Sequence, residues 1–483
     1  MVAIILPPFL TRLMSADSYG AWALVLQLSA YVGYLDFGIQ TAVGRFVAHA
    51  NEMRNAEYRD RIVSTAIAAL STAAILAIGG SIGLVALFPH IFRQMPVSLV
   101  SDASVALLLV AGSLAVGLPV SVFSGVFIGL QRYEVPAAVI GGSRILGALL
   151  IVLVVKQGGS LISMGLAVAI VNLASYVLQY LMCRRATPTY RISIQLVSRH
   201  ATRELFDYCL SLSVWSFAML LVGGLDVSLV GYFQFGAVAY YAVAASLVTF
   251  LAGLQNALFS VMVPSTAVMQ ARGDGKALGR VMITATRYGT FLLLLTGLPL
   301  IFGARNILAL WVGSSYAEPG ARILQILVAA NVIRLSAAPY VMTLVGTAQQ
   351  RLVILTPLLE GFSNLLVSIA AGYVFGAVGV ALGTFVGSLV GVSGNLFHNM
   401  RRTSGFEFRI SDYVRDGLVR PVVCALPAIA FSVILGYCHW FTRLTTTLGT
   451  VATVLVTAYL IWNWGLMGSE REKLLTGRLV PQP

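Results

Sequence analysis

Three arginines and three carboxylates stand inside otherwise apolar stretches of this chain: Arg144, Arg287 and Arg334, with Asp36, Asp226 and Glu360. A guanidinium is a planar, permanently charged fork that matches phosphate oxygens, so an arginine held away from bulk water suits an anion that must shed hydration. Arg144 falls in the first half of the chain and Arg334 in the second, so the two could grip one anion from both sides. Asn331, three residues before Arg334, shares its helical face and adds an amide. Arg287 lies about two turns from the end of its stretch and is placed either to touch the same anion or to snorkel to the surface. The carboxylates could neutralise the arginines when no anion is bound, or take up a proton or cation. No histidine is expected inside an apolar span, so a proton relay would have to use carboxylates.

These groups sit on polar stripes. Ser29, Gly33, Asp36, Gln40 and Gly44 share a face at helical spacing, as do Thr356, Glu360, Asn364 and Ser368, and in another span Ser216, Gly223 and Asp226. A carboxylate within an apolar span costs roughly 2.5–3.5 kcal/mol on insertion scales, so such stripes should face protein or water. Gln40, Gln255, Asn256 and Asn364 would line a polar cavity or bridge helices. Buried arginine–acid pairs that only fix helix packing account for the same residues, and that alternative stays open. Cys183, Cys209, Cys424 and Cys438 have no paired spacing, so neither a metal site nor a disulfide framework is expected, and no cofactor or catalytic residue is assigned.

The elements that must hold these residues are membrane spans. Hydrophobic residues make up 58% of 483 positions and charged ones 10%, and the mean hydropathy is +0.88. Such a chain is an all-α polytopic membrane protein. Fourteen apolar spans are expected, near 1–14, 20–46, 63–88, 103–130, 135–155, 160–182, 207–231, 236–264, 281–304, 321–346, 352–373, 376–398, 418–438 and 445–467. The first holds only about ten apolar residues before Arg12, where a spanning helix needs roughly 20, which points to a segment missing ahead of Met1 rather than a half-span. A basic leader and a small-residue cleavage pattern are both lacking, so a cleaved signal peptide is not expected.

With both termini placed in the cytoplasm, 22 arginines and lysines fall in inside connectors and the tail, and six (Arg12, Arg93, Lys156, Arg305, Arg322 and Arg443) fall outside. This is a positive-inside bias, and it makes the net charge of +13 a topology signal facing anionic membrane lipid rather than a nucleic-acid footprint. The location expected is the inner or plasma membrane.

The longest basic connector, Cys183 to Phe206, lies near the middle of the chain, and short matches recur about 216–219 residues apart. Tyr19-Gly20-Ala21 corresponds to Phe235-Gly236-Ala237, Met53-Arg54-Asn55 to Ala271-Arg272-Gly273, and Gln131-Arg132 to Gln350-Arg351. Two pseudo-symmetric six-helix lobes are therefore expected, 1–206 and 207–400, with two further helices and a cytoplasmic tail over 401–483. Asp36 has no acidic equivalent in the second lobe, where Gln255 and Asn256 stand nearby, and Arg144 is the first partner to test for it.

Four segments carry a family resemblance: Leu10-Thr11-Arg12-Leu13 through Tyr19-Gly20; Leu35-Asp36-Phe37-Gly38 through Arg45; Gly129-Leu130-Gln131-Arg132-Tyr133; and Ile307 to Gly313 with Tyr316. Through them the chain resembles the polysaccharide flippases (O-antigen, capsule and exopolysaccharide exporters) of the multidrug/oligosaccharidyl-lipid/polysaccharide exporter superfamily. The resemblance implies fourteen helices in two lobes around a central cavity, and export of an oligosaccharide carried on a polyprenyl pyrophosphate. It also implies alternating access by rocking of the lobes about the 183–206 region, and no enzymatic activity. Arg144, Arg334, Asn331 and Arg287 would then meet the headgroup, with Asp36, Asp226 and Glu360 as coupling or charge-pairing groups. Implied partners are the lipid-linked oligosaccharide, anionic lipid, a polysaccharide polymerase and glycosyltransferases. A cation-coupled drug antiporter and a lipid II flippase share the plan. A membrane glycosyltransferase or polymerase would need a larger loop than any found here.

Overall fold

The computed structural model describes residues 2–437, 452 and 455–465, and among them there is no strand. Polar residues mark the helix starts. Ser15 accepts from the Ser18 N–H (3.2 Å), Asn55 from Tyr58 (2.9 Å), Ser198 from Ala201 (3.3 Å) and Asp274 from Ala277 (2.9 Å), each satisfying a donor that the first helical turn leaves open.

The helices of the first part are α1 (Val2–Leu13), α2 (Ala16–Ala30), α3 (Ile39–Glu52), α4 (Ala56–Ile91), α5 (Val97–Gly129), α6 (Glu134–Lys156), α7 (Leu161–Ala186), α8 (Arg199–Met219) and α9 (Asp226–Phe233). They are followed by α10 (Val238–Ser260), α11 (Met262–Ala271), α12 (Gly275–Phe302), α13 (Ala304–Trp311), α14 (Ser314–Ser336), α15 (Ala338–Gly346), α16 (Leu355–Phe375), α17 (Ala377–Gly394) and α18 (Arg420–Tyr437). Eleven stretches among the described residues are long and apolar enough to cross a bilayer, and they coincide with the expected spans two to twelve. The first expected span is the short apolar helix α1, with Pro7 and Pro8 inside it. The expected thirteenth falls on helix α18, which is not among those eleven, and about half of the fourteenth lies outside the described residues.

Backbone contacts group the chain into two compact units, 1–242 and 243–483. This division is not the expected one at 206, because the seventh span joins the first unit: α9 packs on α2, and α8 on α3 and α4. In the first unit α5 is the hub, touching α2, α3, α4 and α7. Its close approach to α3 runs through glycine. A Cβ on Gly125 would stand 2.6 Å from the Gln40 carbonyl, and one on Gly129 would stand 2.8 Å from the Gly44 carbonyl. Without a hydrophobic force between helices in lipid, such small-residue seams supply the van der Waals contact that holds spans together. In the second unit α17 packs against α16 and α14, and α12 against α14 and α18.

Left-handed residues repeat along the chain. Arg54 and Gly273 lie 219 residues apart, Gln131 and Ala348 lie 217 apart, and Gly158 and Gly376 lie 218 apart, all with positive φ. The sequence repeat is thus also a repeat of positive-φ positions. Phe37 and Gly38 (φ 50 and 77) break it, since the corresponding Ala252 and Gly253 lie within the continuous helix α10.

That break corrects one expectation. The second span is α2, then a 3-10 stretch over Tyr31–Asp36, then two consecutive left-handed residues, then α3. The helical phase is reset there, so Ser29, Gly33, Asp36, Gln40 and Gly44 do not share one face. Ser29 and Gly44 are buried, Gly33 is exposed, and Asp36 and Gln40 are half-buried. The seventh span is interrupted in the same way by a π-helical turn over Leu220–Gly224, which separates the phase of Ser216 from that of Asp226. The histidine expectation also fails. His49 lies in α3, and His398 lies in a π-helical turn continuing α17, with its Nε2 buried and lacking a hydrogen-bond partner among the described residues.

Candidate functional site

The first unit gathers its polar groups around its two interrupted helices. Asp36 ends the 3-10 stretch, where Ser121 of α5 donates to its Oδ1 (3.0 Å) and the N–H groups of Gly38 and Gln40 face the carboxylate. Asp36 therefore holds the start of α3 to the hub helix. Arg144, its expected partner, is exposed on α6 and forms no ion pair among the described residues. A Gly38→Val variant should be destabilised by about 1–2 kcal/mol, because a β-branched side chain must adopt φ near +77 there. Thermal unfolding in detergent measures it, and an unchanged midpoint would show that the break relaxes without cost.

Asp226 opens α9, is buried, and accepts from the Tyr241 hydroxyl of α10 (3.0 Å). Two residues on, Ser228 shares a hydrogen bond with Tyr31 (2.7 Å), and Gln27 donates to the Gly224 carbonyl at the end of the π-helical turn. Gln27, Tyr31, Ser121, Ser228 and Tyr241 were not expected from the sequence. Two phenols three residues apart in one span (Tyr31 and Tyr34), with a Gly-Gly pair in another, were the available signal.

The second unit carries the arginines. Arg334 is half-buried near the end of α14, and its charge acts on Glu360 of α16, which is 9% exposed. Asn331 is buried one turn earlier, and its Oδ1 has no hydrogen-bond partner among the described residues. The stripe Thr356, Glu360, Asn364 and Ser368 is wholly buried, against a row of glycines on α17. A Cβ on Gly387 would lie 2.9 Å from the Asn364 Cβ and 3.0 Å from the Glu360 carbonyl, and one on Gly394 would lie 2.7 Å from Thr356. Within the seam Ser368 donates to Asn364 Oδ1 (2.9 Å) and to the Val380 carbonyl (3.2 Å). Asn364 thus belongs to a helix–helix seam. Gln255 likewise bridges helices, donating to Thr296 of α12 (3.2 Å), while Asn256 beside it is half-buried.

Arg287 does not reach the surface. It is 2% exposed on α12, and its charge acts on Asp416. Asp416 is held below the usual carboxylate range, chiefly by its hydrogen bond from Arg415 and further by Arg420 and Arg287. Arg287 and Arg334 therefore lie within electrostatic range of acids of their own unit, whereas Arg144 is exposed and forms no ion pair among the described residues. The arrangement can hold an anion at a guanidinium by exchange with a carboxylate. Among the described residues no group of histidine, cysteine or carboxylate side chains has the arrangement of a metal site.

A family model described as "Polysaccharide biosynthesis protein" matches residues 1–270, more than half of the chain. The protein belongs to the polysaccharide biosynthesis protein family. No curated protein matches the sequence at a significant level. Among solved structures, the family member is similar to "Lipid II flippase MurJ, inward closed conformation" at a TM-score of 0.68 and 16% identity, covering 95% of this chain and 97% of that one. It is also similar to a multidrug resistance MATE family transporter of the MOP superfamily in its inward-facing conformation, at a TM-score of 0.61 and 17% identity, over 86% of this chain and 98% of that one. A MOP superfamily transporter from Pyrococcus furiosus follows at 0.55 and 14%. At these identities the likeness is one of fold. This polysaccharide biosynthesis protein is a multi-pass membrane protein with the fold of MOP superfamily transporters.

Three of the four segments of the resemblance acquire a physical role. Leu35 to Gly38 is the break in the second span, Gly129 to Tyr133 is a seam glycine followed by left-handed Gln131, and Gly313 (φ 116) starts α14. In this polysaccharide biosynthesis protein, these segments form helix ends and contacts that position the polar groups.

Proposed function

We propose that the protein translocates a polyprenyl-pyrophosphate-linked oligosaccharide from the cytoplasmic to the outer leaflet of the inner or plasma membrane, by alternating access, for surface polysaccharide synthesis. The observation that carries this reading is a mid-span guanidinium, Arg334, set against a buried carboxylate, Glu360, in a chain of the polysaccharide biosynthesis family. A pyrophosphate arriving at Arg334 displaces Glu360 as its counter-charge, and the released carboxylate takes up a proton or cation that returns the cycle. Arg144, exposed on α6, is a further guanidinium open to anionic headgroups. Asp36 and Asp226 organise the interrupted helices of the first unit. A polymerase and glycosyltransferases supply and consume the cargo, and both termini lie in the cytoplasm.

A drug/cation antiporter has the same fold but carries cations, for which three in-span arginines are poor company. The test is translocation in proteoliposomes containing a polyprenyl-pyrophosphoryl oligosaccharide, read as time-dependent access of the sugar to an impermeant lectin. Protein-dependent access is expected. Access no faster than in protein-free liposomes, with uptake of a cationic dye instead, would transfer the protein to the antiporter reading.

A further inference from the structure

The segment between α7 and α8 is pinned along its length to α4. Its backbone N–H groups donate in order along that helix: Arg191 to Asp60 Oδ2 (3.1 Å), Ser193 to Ser64 Oγ (3.2 Å) and Ser198 to Thr65 Oγ1 (3.3 Å). Tyr190 is buried under the Arg59 guanidinium, 3.7 Å from ring centre to Cζ, and Asn51 donates to its hydroxyl (3.4 Å). Arg59 is in turn held by Asp60 through two bonds to Oδ1 (2.9 and 2.7 Å), with both residues buried. A strap with its amides tied inward has its outward side chains decided.

Those side chains are a mixture seldom left to water. Ile194 is 85% exposed, Ile192 and Val197 are each 39% exposed, and Arg184, Arg185, Arg191 and Arg199 are all exposed around them. The strap's depth follows from its anchors. Both its ends are ends of spans, and it is tied to α4 where polar Glu57–Arg61 gives way to the apolar run from Ile62. It therefore runs along the bilayer surface, at the level of the headgroups.

We propose that the strap 187–198 is a surface anchor that lays Ile194, flanked by Ile192 and Val197, into the headgroup layer of a leaflet rich in anionic phospholipid. Exposed aliphatic side chains gain by burial at the acyl boundary, and clustered arginines gain from negative surface potential, so the two signals reinforce each other. The occupant is anionic bilayer lipid rather than the cargo, because the charge is spread over both ends of the strap around an apolar centre instead of converging on one point. The proposal rests on the cytoplasmic placement of this connector given above. It also makes the connector a fixed ledge on the first unit, not a free hinge.

The test labels an Ile194→Cys variant of the full-length protein with an environment-sensitive fluorophore, in nanodiscs of phosphatidylglycerol or of phosphatidylcholine with brominated chains. Native Cys183, Cys209 and Cys424 are buried, and the unsubstituted protein gives the background. A blue shift with loss of emission to the brominated chains in the anionic discs is expected, with both weakened in phosphatidylcholine and in an Arg184→Gln/Arg191→Gln/Arg199→Gln variant. Water-like emission in anionic discs would overturn the proposal, as would equal quenching in the two lipids. Quenching that appears only on adding polyprenyl pyrophosphate would assign the strap to cargo capture instead. No transport step enters these readouts, so their failure is separable from failure of the export reading.

Discussion

Arg334→Ala is expected to lower export by at least about tenfold at matched expression, since a charge-assisted hydrogen bond contributes about 1.5–3 kcal/mol and 1.36 kcal/mol is tenfold in rate. The readout is surface polysaccharide in cells, or sugar accessibility in proteoliposomes. Folding is expected to suffer as well, because Glu360 would keep its buried place on α16 without its counter-charge. Arg334 and Glu360 are within electrostatic range but form no ion pair among the described residues, so the loss should stay below the roughly 3–5 kcal/mol of breaking a buried contact pair. The two effects separate in the double variant Arg334→Ala/Glu360→Gln, which should recover thermal stability but not export. Arg334→Lys keeps the charge and loses the planar fork, so it should fall between wild type and alanine. Wild-type export by Arg334→Ala would remove this residue from the anion path.

The second large effect is expected at a residue with no side chain. Gly387→Leu should lower the stability of the second unit by about 3 kcal/mol, the upper end of overpacking penalties, because its Cβ alone would press on a backbone carbonyl. The nearest atoms are the Asn364 Cβ at 2.9 Å and the Glu360 carbonyl at 3.0 Å, and neither is the tip of a flexible chain. Forcing α16 from α17 would also open the Ser368–Asn364 bond. Gly83→Ala on α4 is the control, since nothing lies within 4 Å of its Cβ position, and alanine there should leave the unfolding midpoint unchanged or raise it. Equal midpoints for the two variants in detergent would mean that the seam yields.

How far the sequence was legible can be followed through particular residues. Spans two to twelve were legible because apolar runs of that length have one outcome in lipid, and nearly every connector carried its own polar marker. The α16 stripe was legible as a polar face at four-residue spacing, but its destination was not. Its partner is the glycine row Gly379, Gly383, Gly387 and Gly391, and nothing in either segment alone states that the two meet. The break in the second span was hidden for a different reason. Leu35-Asp36-Phe37-Gly38 keeps apolar residues in helical register, and Phe37 in a left-handed conformation runs against local preference. The basic connector was readable as surface-seeking, whereas its attachment to α4 depends on backbone amides, which every sequence has. Arg144 and Arg334 looked alike as lone in-span arginines; only packing separates the exposed one from the half-buried one whose charge acts on a buried acid.

The interrupted second span has a consequence for how substitutions combine. A continuous helix transmits rotation: a change that turns one end turns the other. Here the two left-handed residues uncouple azimuth between α2 and α3, as a universal joint does: both halves pack on α5, but α2 is registered also by α9, and α3 by the glycine seam. Changes at Trp22 or Leu24 and changes at Val43 or Val47, all fully buried, should therefore add as independent sites despite lying in one span. In α4, where no such joint intervenes, changes at one end remain tied to the azimuth of the other.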